Sequence, residues 1–141
     1  MKKSIPLLAV SLLFAIGMVE VPPLIAQEKE WSLVGTWVNP AYENTNVYLP
    51  KIVYGNDNTI SIYFYVNDKA PFGVGNYEIE KDWTESGVHW FMVKSIVNSV
   101  VYYELDRLTE GGDKYEGTIS HEDYPTNIDI TSSSYQIRKR Q

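Results

Sequence analysis

The sequence predicts an all-β domain of about eight antiparallel strands, and three observations predict it. Clusters of Gly, Asn, Asp and Pro divide the chain into short segments at fairly regular spacing, the pattern of an antiparallel domain and not of alternating strands and helices. The segments between them alternate in polarity with a period of two. Beyond residue 26, no stretch longer than ten residues keeps a helical period.

The first element is a targeting segment. Lys2 and Lys3 form a charged start, residues 5–14 form an apolar run broken only by Pro6 and Ser11, and small residues follow at Ala15, Gly17 and Ala26. That order is the secretory pattern, and the apolar run is shorter than the ~20 residues of a membrane span. We therefore expect a signal peptide over residues 1–26, a single domain over 27–141, export to the periplasm or medium, and no stable membrane span after processing. Cleavage after Gly17 satisfies the small-x-small spacing through Ala15 but leaves an apolar tail. A retained, uncleaved anchor is a third outcome.

Strands are expected over residues 33–38, 51–54, 59–66, 75–81, 88–96, 100–108, 114–120 and 134–140. The third sets Ile60, Ile62, Phe64 and Val66 against Ser61, Tyr63 and Tyr65. It follows the turn Gly55-Asn56-Asp57-Asn58, whose residue types tolerate positive φ. The fourth puts Tyr77 and Ile79 on one side. In the fifth, Val88, Trp90 and Met92 oppose His89, Phe91 and Val93. In the sixth, Val101, Tyr103 and Leu105 oppose Tyr102, Glu104 and Asp106, which read as the solvent face. Asn98-Ser99 and Glu110-Gly111-Gly112-Asp113 read as tight turns. Residues 41–48 and 122–131 are the longest expected loops.

Composition narrows the function. The chain has 141 residues and no cysteine, so disulfides, cysteine-based zinc sites, thiol nucleophiles and lipidation of an N-terminal Cys are excluded. A body of about 115 residues is large enough to be held by its core alone, and the chain's 4 Trp, 11 Tyr and 4 Phe, of which only Phe14 lies in the signal, furnish one. The net charge is −6, and loss of Lys2, Lys3 and Glu20 with the signal takes it to −7. Such a body repels polyanions, so nucleic acid is a poor partner, and the short run Arg138-Lys139-Arg140 does not reverse that.

Near the start of the domain stands Leu33-Val34-Gly35-Thr36-Trp37. It resembles the Gly-x-Trp signature that opens the first strand of lipocalins and their calycin relatives. The chain is also similar to small bacterial exported lipocalin-like proteins of undescribed function. That likeness is carried by residues 35–40, 51–54, 75–80, 123–125 and 135–141, stretches spread from one end of the mature chain nearly to the other. The resemblance implies that the strands close into an up-and-down barrel. It also implies that Trp37 plugs one end beneath an arginine of the last strand, Arg140 in preference to Arg138; a guanidinium stacks on an indole face while its donors satisfy carbonyls. The simpler alternative makes Trp37 a core residue and Gly35 a bulge. The chain is shorter than well-known lipocalins and lacks their disulfide, which argues against a large cup.

An eight-stranded barrel is filled by side chains or holds one small ligand. The expected interior consists of Ile60, Ile62, Phe64, Tyr77, Ile79, Trp90, Tyr103, Leu105 and Tyr135, bulky enough for a packed core or a small pocket. From these, Ile62, Phe64, Tyr77, Trp90, Tyr103 and Tyr135 are the candidate ligand contacts, suited to an apolar or amphipathic molecule. Tyr63 and Tyr65 give a second reading, an outer aromatic face for a partner protein or envelope glycan. Ordinary strand propensity also places tyrosine there.

No catalytic residues, metal ligands or cofactor are expected, and the chain is not read as an enzyme. His89 and His121 are the only histidines, and no Gly-x-Ser-x-Gly elbow is present. In His121-Glu122-Asp123, neighbours on an extended chain point to opposite faces, which does not favour a metal. Asn56-Asp57-Asn58 lacks the Gly and terminal Glu of a calcium loop. A hydrolase built on His89 or His121 is the third reading.

Overall fold

The computed structural model describes residues 31–141. The expected signal peptide and its cleavage points lie outside the described residues. Eight strands follow one another: β1 (Gly35–Val38), β2 (Tyr48–Tyr54), β3 (Thr59–Tyr65), β4 (Gly73–Glu85), β5 (Val88–Val97), β6 (Val100–Thr109), β7 (Lys114–Ser120) and β8 (Tyr135–Arg140). Each pairs antiparallel with the next, and β1 pairs with β8, so the sheet is a closed up-and-down barrel. Closure rests on two facing pairs, Trp37 with Arg140 and Val38 with Lys139.

Local chemistry makes the turns. Ser86 and Gly87 between β4 and β5, and Asn98 and Ser99 between β5 and β6, all have positive φ, the conformation that lets a two-residue turn follow the strand twist. Between β2 and β3 the Asp57 carboxylate accepts hydrogen bonds from the Thr59 hydroxyl at 2.6 Å and the Thr59 amide at 3.3 Å. The loop after β1 contains a short 3-10 turn, Pro40–Tyr42, begun by Asn39, whose side chain accepts from the Ala41 amide.

β4 is longer than the sequence predicts, running to Glu85 instead of residue 81. A register shift between Ile79 and Lys81 is the cause. One extra residue there reverses which side chains face inward, so a search for strict alternation loses the strand at that point.

Cross-strand register fixes the interior. Inward-facing residues include Trp37, Ile52, Tyr54, Ile60, Tyr77, Phe91, Val93, Val97, Leu108 and Tyr115, which form the buried core with Leu33. On β6 the inward set is Tyr102, Glu104, Asp106 and Leu108, paired in turn with Ser95, Val93, Phe91 and His89 of β5. The sequence expectation for this strand is thus reversed: the polar face is the inside, and Val101, Tyr103 and Leu105 point out. Leu105 is still only 5 % exposed, because the outer side of β5 and β6 has an apolar layer of its own. Leu105, Trp90 and Met92 share a groove there with Tyr124 and Pro125, and Tyr124 packs edge-on to Tyr103 at 5.0 Å.

Candidate ligand site in the barrel interior

One end of the barrel is plugged. Trp37 is wholly buried and its indole N–H donates to the Leu33 carbonyl at 2.7 Å. Tyr115 meets the ring edge-on at 5.0 Å. The Arg140 guanidinium lies 4.3 Å from the indole centroid and donates to the carbonyls of Val34 at 2.8 Å, Ser32 at 2.9 Å and Gly112 at 3.0 Å. Arg138, the other candidate, lies elsewhere, facing Tyr115 across β7 and β8. Gly35 is needed beneath this clamp. Its φ is +135°, and a Cβ there would stand 2.8 Å from an Arg140 nitrogen.

Toward the opposite end lies a partly open cavity of about 180 Å³. Its apolar wall is Pro50, Ile52, Ile60, Ile62, Phe64, Val97 and Ile119, and its polar wall is Lys51, Ser95, Tyr102, Glu104, Gln136 and Arg138. These residues come from the start of β2 and β8, the end of β3, β5 and β7, and the first half of β6. The cavity therefore faces the loops 39–47, 66–72 and 121–134. Its volume is close to that of an engineered cavity that holds benzene, about 150 Å³.

Below the cavity the interior turns acidic. Glu104 is 4 % exposed and Asp106, two residues deeper, is fully buried. Burial raises the carboxyl pKa of Glu104, opposed but not cancelled by the Asp106 hydrogen bond and the Arg138 charge. Burial also raises Asp106 well above the usual range, and the charge and hydrogen bond of Glu104 push it further. Burial thus favours the protonated form of the pair, most strongly at Asp106. Tyr54 and Tyr115 adjoin the pair, and burial raises both phenols well above their ordinary value. Neither Tyr54 Oη, Tyr115 Oη, the Asp106 carboxyl oxygens nor Arg138 Nε has a hydrogen bond of good geometry. Gly117 makes room for Asp106, since a Cβ at Gly117 would lie 1.9 Å from Asp106 Oδ1.

The six residues expected to contact a ligand are dispersed. Ile62 and Phe64 line the cavity. Tyr77 faces inward but lies at the plugged end, its hydroxyl donating to the Gly55 carbonyl at 2.8 Å. Trp90, Tyr103 and Tyr135 are corrected to the outer surface. Trp90 stacks on Trp83 at 6.0 Å and 5° beneath the Arg107 guanidinium. Tyr103 packs against Tyr124, and Tyr135 donates to the Glu116 carboxylate. Both faces of β5 are rich in apolar and aromatic residues, so alternation alone did not say which one was inside. Ser95, Glu104, Gln136 and Arg138 were missed because a polar residue on a strand reads as solvated.

Rings gather at the cavity mouth. Phe64 packs on Phe72 at 4.8 Å and Tyr48 on Tyr65 at 5.8 Å; Tyr65 is 51 % and Phe72 67 % exposed. Tyr63 lies on the outer face under the Lys51 ammonium, 4.9 Å from its ring centroid. At the plugged end, His89 is flanked by Thr84 Oγ1, 2.7 Å from Nδ1, and Asp82 Oδ1, 3.0 Å from Nε2.

Among the described residues, no group of three metal-ligating side chains is assembled, and no helix is long and apolar enough to cross a membrane. The architecture is consistent with a calycin-like fold. Compared with family models, curated proteins and solved structures, the chain has no significant match.

Proposed function

We propose that this chain is an exported lipocalin-like binding protein that holds one small amphipathic molecule inside its barrel, and that it is not an enzyme. The observation that carries this reading is the cavity itself: one wall is apolar, the other offers few but convergent polar groups, and one end is open. That combination is what small-molecule sites share. The Gly35, Trp37 and Arg140 cluster supports the lipocalin-like assignment, because it places a glycine, an indole and a guanidinium in the roles that family gives them. A displacement assay with an apolar fluorescent dye tests the reading. The dye should bind at a single site, and Ile62→Trp, which fills the cavity, should abolish uptake while the circular dichroism of the barrel is retained. Equal uptake by the filled variant would place the dye elsewhere and defeat the proposal.

A second reading draws on the mouth. Tyr65 and Phe72 expose large aromatic area at the two ends of a chain of rings that runs through Tyr48 and Phe64, a surface suited to an envelope partner protein or glycan. Tyr65→Ser with Phe72→Ser should then remove pull-down or oligomerisation and leave dye uptake unchanged.

A further inference from the structure

The interior of the barrel holds two carboxyl groups, Glu104 and Asp106, against one guanidinium, Arg138. With one proton shared by the two acids these three groups are neutral; Lys51 also lines the cavity, but its ammonium lies over Tyr63. Hydrogen-bond supply is uneven. Both Asp106 oxygens are buried without a hydrogen-bond partner of good geometry, and the Glu104 carboxyl beside them interacts with Asp106 and Arg138 alone. The guanidinium, by contrast, is turned to its own strand. Its Nη1 donates to the Ile137 carbonyl at 2.9 Å and its Nη2 to Gln136 Oε1 at 2.8 Å. Three of its five N–H donors remain, one on each nitrogen, yet none of them bonds either acid. What the two acids lack is a hydrogen-bond donor.

We propose that the cavity selects a small organic cation, a primary amine with an apolar body about the size of a benzene ring, whose ammonium hydrogen-bonds Glu104 with Asp106 behind it while the body lies along Ile52, Ile60, Ile62 and Phe64. This inference rests on the interior-binding reading above and adds the chemical class of the ligand. An ammonium that takes the place of the shared proton leaves the interior neutral, whereas a carboxylate would add an uncompensated negative charge in a dry site. Asp106 has Tyr54 of β2, Tyr115 of β7 and Arg138 of β8 around it, besides Glu104. The residues facing the two acids from β5, Phe91 and Val93, do not titrate. The proton held by the acid pair is therefore the one that an arriving cation displaces.

Three matched probes test this on the full chain: benzylamine, benzyl alcohol and benzoate, titrated by calorimetry in buffers of differing ionisation enthalpy. Benzylamine should bind at least about ten-fold more tightly than either of the others, release up to one proton per molecule bound, and gain affinity as pH rises from 5 to 8. Glu104→Gln should lower benzylamine affinity to that of benzyl alcohol. The wild-type comparison stands by itself if that variant does not fold. Benzyl alcohol binding as well as benzylamine, with no proton released, would overturn the cation assignment and leave the interior-binding reading intact. Tightest binding of benzoate would overturn it in favour of Arg138. Failure of all three probes together with the apolar dye would remove both readings.

Discussion

The Arg140 guanidinium stands 4.3 Å over the indole of Trp37 and at the same time caps the carbonyls of Ser32, Val34 and Gly112. Those two residues also form one of the pairs that close the sheet between β1 and β8. One side chain from the last strand therefore ties down the segment before β1, the β6–β7 turn and the plug. Arg140→Ala should cost about 2–3 kcal/mol of stability, from the lost cation–π contact and the orphaned carbonyls. Arg140→Lys keeps the charge but not the planar fork, so it should recover less than half of that loss. Urea denaturation of the two variants checks both values.

Gly117 faces Asp106 across β6 and β7, with no room for even one added carbon. Gly117→Ala should therefore destabilise the barrel by about 1–3 kcal/mol. Its effect should be markedly smaller in an Asp106→Ala background, where the opposing carboxyl is gone. A double-mutant cycle measures this coupling. Strict additivity of the two changes would contradict the facing arrangement.

Acid and base act on the two carboxyl environments with opposite sign. Glu104 and Asp106 have raised folded-state pKa values, foremost through burial. The native state therefore binds more protons than the unfolded state between the unfolded value of about 4 and the raised one. Their stabilising contribution is complete below the unfolded pKa and is lost as pH rises through the folded one. Asp106→Asn should flatten the decline in stability on the alkaline side of pH 4. Glu116 is the reverse case. Burial works to raise its pKa, but hydrogen bonds from Tyr135 and Arg107 outweigh it and lower the net value. Its contribution is present above the unfolded pKa and disappears as pH falls through the folded one. Tyr135→Phe should therefore reduce stability at neutral pH and matter less in acid. Denaturation midpoints from pH 3 to 8 separate the two effects.

Trp90 belongs to an outer ladder in which Lys81 covers Trp83, Trp83 stacks on Trp90, Arg107 covers Trp90, and Arg107 pairs with Glu116 at 3.1 Å. Trp90→Ala should lower stability by about 1–3 kcal/mol through lost packing. It should leave dye uptake into the barrel unchanged. Loss of uptake in a variant that still folds would mean that the outer ladder and the cavity are coupled.

The strand count, the antiparallel order and the turns at residues 55–58 and 98–99 were legible because each rests on local chemistry: alternation of side chains and residue types that accept positive φ. The full length of β4 was not legible, since the register shift after Ile79 interrupts the very period that reveals a strand. The inward face of β6 was misread for a different reason. Leu105 looks interior, yet it is buried by residues that fold over the outside. Glu104 and Asp106 look solvated, yet they are neutralised in part by Arg138, more than 30 positions away. Of the cavity, Ile62 and Phe64 were identified from a strand with one clearly apolar face. Ser95, Gln136 and Arg138 come together only through closure of the sheet, which no local pattern records.

Methyl chemical shifts of Ile60, Ile62, Val97 and Ile119, followed by NMR while benzyl alcohol is titrated into the full chain, test most directly whether the interior takes up a molecule. Shifts concentrated on those four residues and saturating at one equivalent are the expected result. A chain whose interior methyls stay still while Met92 and Leu105 respond would bind at the outer groove instead, contrary to the role assigned to the cavity.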